Sequence, residues 1–208
     1  MMRIESVSSQ PDRAGRYTVK FSDGTVMRLY RQTIQDFMLF SGAELSEETM
    51  EDLRTAAGAM SAKMRAVRIV SMSSLSKRDL EQRLIQKGED PNQAKDAVKW
   101  MSDLDLLDDR KTAQQIVNRC IGKGYGLARA KQALFEKRIP KEFWDEALED
   151  YPDQQEHIVS YLQAHLSDSY QDRDLRKVID ALIRRGHSYH EIRKGLQKIE
   201  ASLEEEYG

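Results

Sequence analysis

Ser76-Lys-Arg-Asp-Leu80-Glu-Gln-Arg-Leu84-Ile-Gln-Lys-Gly88 decides the fold, because its pattern returns twice downstream. Two leucines four apart form a stripe on one helix face, Ser76 caps the helix start, and Gly88 suits the left-handed residue that ends it. With Leu84 as anchor, Leu134 and Leu182 follow at similar spacing. Four positions before the anchors stand Leu80, Ala130 and Val178. Ten positions after them come Ala94, Trp144 and Ile192, then Val98, Leu148 and Leu196 at fourteen, and Met101, Tyr151 and Ile199 at seventeen. A basic residue follows each anchor at +3 (Lys87, Lys137, Arg185), and Gly88, Arg138 and Gly186 fill +4. These offsets predict two amphipathic helices joined by a short turn, repeated three times.

A third helix fits between copies, at 109–120 after the first and 153–166 after the second. The expected body is therefore an elongated array of tandem three-helix repeats, the last one lacking its third helix. Upstream, Tyr17–Tyr30 reads as a hairpin turning at Asp23-Gly24, with Phe21 set beside Val26 and Tyr17 beside Tyr30. Ile4–Val7 offers a third strand, Gln32–Phe40 a short helix, and Ser46 with Glu47 and Glu48 a capped helix start. The fold class is mainly α with a small N-terminal α/β extension. The expected boundaries are 1–70 for the extension and 71–122, 123–170 and 171–208 for the repeats, the last with the C-terminal tail.

Composition agrees with a helical, highly charged protein: 208 residues, 33% charged and 39% hydrophobic, with net charge −2. The charge is uneven. Residues 71–140 and 172–199 each sum to +4, while 141–171 sum to −7 and the tail from Glu200 to −4. Local potential governs encounters with charged partners more than the total does. One cysteine, Cys120, excludes an internal disulfide framework and reads as a core residue. No apolar run approaches the ~20 residues that span a bilayer, and the first residues lack a secretory apolar core. A cytoplasmic location is expected.

Catalytic and metal signatures are missing from the sequence. Asp103, Asp105, Asp108 and Asp109 have leucines between them and lack the glycine and glutamate of a calcium loop, so Asp108 or Asp109 reads as a helix cap. The pairs His187/His190 and His157/His165 have no acid partner in register, and no cofactor is expected. Gly122-Lys-Gly-Tyr-Gly126 lacks the remaining P-loop element and reads as a hinge between repeats. Trp100 and Trp144 fall in helical register as packing residues. The chain reads as a binding module and not an enzyme.

The motifs together resemble the RecX family, regulators of the bacterial recombinase RecA. The first copy from Ser76 to Gly88, the run Leu106-Leu107-Asp108-Asp109 with Ala113, and Gly126, Arg129, Leu134, Lys137 and Ile139 are similar to successive family segments. Leu182-Ile-Arg-Arg-Gly186 with Ser188 and Ile192 is similar to the third repeat. The chain departs at Ser73 and Leu75, where arginines are usual, at Asp105 and Arg138, where glycine is usual, and at Thr112, where an aromatic is usual. The resemblance implies a RecA partner, docking in the groove of the RecA–DNA filament, and restraint of its ATPase and strand exchange during homologous recombination, repair and the SOS response. A monomer without membrane attachment, touching bare DNA only weakly, is expected. Candidate contacts to filament acids or phosphate are Arg83, Lys87, Arg129, Lys131, Lys137, Arg138, Arg176, Lys177, Arg184, Arg185, Arg193 and Lys194. The rival reading is a direct DNA binder of helix-turn-helix type. Its second helices would open with Pro91-Asn, Pro140-Lys and Ser188-Tyr, two of which suit base reading poorly.

Overall fold

The computed structural model describes residues 1–166 and 171–207, with side chains of the last helix described through Ala201. Asp168 and the glutamates of the expected acidic tail beyond Ala201 lie outside the described side chains. The chain divides into two compact units, Met1–Leu107 and Asp108–Gly208.

In the first unit, β1 (Met2–Val7), β2 (Arg16–Phe21), β3 (Val26–Tyr30) and β4 (Glu44–Leu45) form an antiparallel sheet in the order β3-β2-β1-β4. The hairpin forms, but its register differs from the expected one. Lys20 pairs with Val26, Tyr17 with Leu29 and Arg16 with Tyr30. The cause lies in the turn: only Gly24 takes a positive φ, +85°, whereas two positive angles would be needed for the tighter loop. The Asp23 carboxylate instead accepts from the Thr25 amide (2.8 Å) and hydroxyl (2.7 Å), and the Phe21 amide closes the loop onto the Thr25 carbonyl. This register buries Val19, Phe21 and Leu29 and leaves Val26 in water. Strand β4 was not anticipated; two residues give too little pattern to read.

Helix α1 (Arg31–Asp36) is shorter than expected, and α2 (Glu47–Val70) begins where Ser46 caps it, its hydroxyl accepting from the Thr49 amide at 3.0 Å. The N-terminal half of α2 covers the sheet with Met50 and Leu53, among Ile4, Val19, Phe21 and Leu45. Its C-terminal half brings Ala62 and Ala66 against α3 (Lys77–Gln86) and α4 (Pro91–Asp103). Leu80, Leu84, Ala94, Val98 and Met101, the five repeat positions, all lie in that core.

The second unit contains α5 (Asp109–Gly122), α6 (Leu127–Glu136), a 3-10 turn at Lys141–Phe143 with the short α7 (Trp144–Leu148), α8 (Gln155–His165), α9 (Asp172–Arg184) and α10 (Tyr189–Tyr207). Leu134, Trp144, Leu148 and Tyr151 pack with Ala113, Ile116 and Val117 of α5. Val178, Leu182, Ile192, Leu196 and Ile199 pack with Ile158 and Leu162 of α8. Each helix pair thus shares a core with the helix that precedes it, whereas the sequence spacing set the third helix after the pair. The last pair therefore has its third helix, α8. Periodicity locates helices well but says nothing of which neighbour covers their apolar stripe.

All three repeat helices end alike. The amides of Glu89, Ile139 and His187 donate to the carbonyls of Leu84, Leu134 and Leu182, the three anchors. Gly88, Arg138 and Gly186 precede them at φ +88°, +53° and +90°. This is the Schellman arrangement, so Arg138 adopts the conformation that glycine adopts in the other copies. Asp108 caps α5 through the Lys111 amide at 3.1 Å, and Cys120 is buried, its thiol pushed up by burial.

Candidate partner-binding surface

The candidate cations divide by what already holds them. Arg83 reaches the buried Asp79 at 3.2 Å, Arg129 donates to Glu136 at 3.0 Å, and Lys177 pairs with Asp174 at 3.0 Å. The bond to Glu136 raises the Arg129 pKa against the opposing effect of burial. Arg185 is more deeply engaged. Its guanidinium lies over the rings of Tyr125 (5.5 Å) and Tyr161 (4.8 Å) and donates to the Lys123 carbonyl at 3.4 Å. Lys87, Lys131, Arg176, Arg184, Arg193 and Lys194 are exposed and have no ion-pair partner among the described residues. Lys137 is half-buried, and Arg138 is exposed with its backbone fixed in the turn. Arg83 and Lys87 belong to the first unit and the other ten to the second.

Within the second unit, the backbone brings part of the set together. The Gly126 amide donates to the Arg185 carbonyl at 2.9 Å, so the start of α6 abuts the turn between α9 and α10. A Cβ on Gly126 would overlap the Gly186 carbonyl oxygen, and one on Gly186 would overlap the Arg129 amide nitrogen. The pairing of two glycines lets the chains approach closely and sets Arg129 beside Arg185. The glycine cluster is therefore a packing element, whereas the sequence suggested a hinge. His187 completes the contact: its Nε2 bonds the Gly124 carbonyl at 3.0 Å, and the ring is buried. Lys194 borders a cleft of about 350 Å³ with Gly126, Leu127, Tyr151, Gln155 and His190.

Sequence reasoning missed the apolar part of this surface. Phe135 is 71% exposed on α6, and Leu127 (40%) and Ile183 (47%) are also open. Phe135 and Ile183 each immediately follow an anchor leucine, a position whose first-copy occupant, Ile85, packs against the core. Sequence spacing alone assigns such a residue to the edge of the buried stripe. Trp144 and Trp100 do serve packing: the Trp144 indole N–H donates to the Ile139 carbonyl at 3.0 Å, and Trp100 lies against the first unit's helical core with Lys63 above its ring. No helix among the described residues is long and apolar enough to cross a membrane.

Comparison with known proteins finds relatives of one kind. No family model matches the chain. It is 23% identical over 202 residues to the regulatory protein RecX of Clostridioides difficile (strain 630), covering 94% of this chain and 95% of that one. It is 30% identical over 96 residues to RecX of Halorhodospira halophila and 29% over 93 residues to RecX of Vibrio campbellii, each match covering 45% of this chain and 60% of the relative. Among solved structures, a regulatory protein RecX superposes with a TM-score of 0.63 at 21% identity, over 93% of this chain and 100% of that one. RecX from Lactobacillus salivarius gives 0.60 at 21% identity, over 70% and 99%. These superpositions establish a common fold. The curated relative similar along nearly the whole of both chains is likewise a regulatory protein RecX, so sequence similarity and shared fold both support the RecX family.

Proposed function

We propose that this protein binds the RecA recombinase on its DNA filament and restrains ATP hydrolysis and strand exchange during recombination and repair. The observation that carries the reading is the RecX match across nearly the whole chain. The three repeats, each with the same capped turn between its paired helices, supply several short helices on which modest contacts can sum. Six of the candidate cations have no ion-pair partner among the described residues and supply the charge for filament acids. In this reading the protein is a cytoplasmic monomer that acts by binding, not by catalysis. Direct base reading is disfavoured, since α7, which would be a second helix of such a module, has only five residues.

The test is the DNA-dependent ATPase of RecA assembled on single-stranded DNA, titrated with this protein. Depression at substoichiometric amounts is expected. An unchanged ATPase, together with tight binding to bare DNA, would give the rival reading the field.

A further inference from the structure

Phe135 stands 71% exposed on a helix that buries Ala130 and Leu134 fully. A single exposed apolar side chain is ordinary. Three features make this one more than that. Leu127, Lys131 and Phe135 recur at i, i+4 and i+8, so a continuous strip runs along α6, with the aliphatic stem of Lys131 bridging two open apolar groups. The next repeat leaves Ile183 open at the position equivalent to Phe135. The strip is also positively charged. Lys131 is exposed and has no partner among the described residues. The adjacent acid, Glu136, is already engaged by Arg129 at 3.0 Å and Gln132 at 2.9 Å.

From this we infer that the Leu127–Lys131–Phe135 strip of α6 is a docking surface for an acid-rimmed apolar recess on a protein, with Phe135 as its anchor. The inference rests on the proposed function, and the partner in that reading is the protein part of the filament. Charge complementarity selects an acidic rim for Lys131. A nucleic-acid strand fits less well. Phe135 is the one ring on the strip on which a base could stack, with Leu127 beyond Lys131 offering none, and α7, which shares the core with α6, carries Asp145 exposed. An aromatic side chain seated in a partner's pocket is a usual interface anchor.

The experiment compares parent, Phe135→Ala and Lys131→Ala for binding to RecA filaments on single-stranded DNA and, separately, to the bare strand, with thermal melts alongside. Phe135→Ala is expected to keep the parent's melting temperature and weaken filament binding at least about tenfold. Lys131→Ala is expected to weaken it less, about two- to fivefold, mainly through the association rate. Filament binding by Phe135→Ala within twofold of the parent overturns the inference while leaving the proposed function standing. An equal loss on the bare strand makes the occupant nucleic acid and overturns it as well. A parent that does not bind filaments at all sinks the proposed function, and this inference with it.

Discussion

Gly126 and Gly186 meet backbone to backbone, so neither position tolerates a side chain without moving the start of α6 away from the α9–α10 turn. Gly126→Ala is expected to lower unfolding free energy by about 3 kcal/mol or more, measured by urea denaturation. Gly122 is the matched control: it ends α5, and a methyl added there would meet nothing within 4 Å. Gly122→Ala should be neutral or stabilise by up to about 1 kcal/mol, since it only restricts the unfolded chain. A similar loss in both would mean that glycine serves flexibility here and not close approach. Asp105 gives the opposite case. It is exposed at φ +56°, with its amide donating to the Ser102 carbonyl and the Leu106 amide to the Met101 carbonyl, a Schellman end to α4. Asp105→Gly should stabilise by up to about 1 kcal/mol, and Asp105→Val should cost about 1–2 kcal/mol, because a β-branched residue resists this conformation. The opposite order in thermal melts would contradict the assignment of strain. The glycine usual at 105 and 138 in the resembled family thus has a backbone reason, and Asp105 and Arg138 keep the turn without it.

At the scale of elements, His187 joins the α5–α6 loop to the α9–α10 turn, bonding the Gly124 carbonyl through Nε2 while the buried Nδ1 has no partner among the described residues. Burial pushes its pKa below the usual 6.5, outweighing the upward pull of the Gly124 bond and of Glu191, while Arg185 and His157 lower it further. The native state therefore resists protonation where the unfolded chain accepts it. The stabilisation is fully present above the unfolded value and is lost as pH falls from about 6.5 toward the lower native value. Unfolding free energy should fall between about pH 7 and 5, and His187→Gln should flatten that slope. An identical slope in the variant would assign the effect to other groups. The sequence showed His187 only as one of a histidine pair near a helix start, since its carbonyl partner lies sixty-three positions away. What the sequence did show is local. The five apolar repeat positions, the Ser46, Ser76 and Asp108 caps and the left-handed ends all reflect spacing within one or two helices. The hairpin register, strand β4, the helix that completes each trio and the exposure of Phe135 depend on partners distant in sequence, and periodicity does not encode those partners.

For the whole molecule, charge distribution matters more than net charge. Five of the six candidate cations without an ion-pair partner among the described residues, Lys131, Arg176, Arg184, Arg193 and Lys194, lie in the second unit, but the same unit carries the acidic stretch that includes α7. A polyanion approaching this unit meets both signs, whereas a protein surface with spaced acids and apolar recesses can match the cations and avoid the acids. The two encounters differ in their response to salt. Binding to bare single-stranded DNA should lose affinity with a log–log slope near −0.7 for each phosphate neutralised. Filament binding through a few ion pairs and an apolar anchor should fall more gently between about 0.05 and 0.3 M salt, because only exposed pairs are screened over a Debye length of roughly 6–14 Å. Replacing Lys131, Arg176 and Arg184 together by Glu reverses three unpartnered, exposed charges that lie off the Leu134 and Leu182 cores. Circular dichroism and melting temperature should stay those of the parent. Inhibition of the RecA ATPase should weaken most at low salt, and the difference from the parent should narrow as salt rises, since screening removes the attraction in one and the repulsion in the other. A variant that inhibits as well as the parent at low salt would place the binding surface away from α6 and α9.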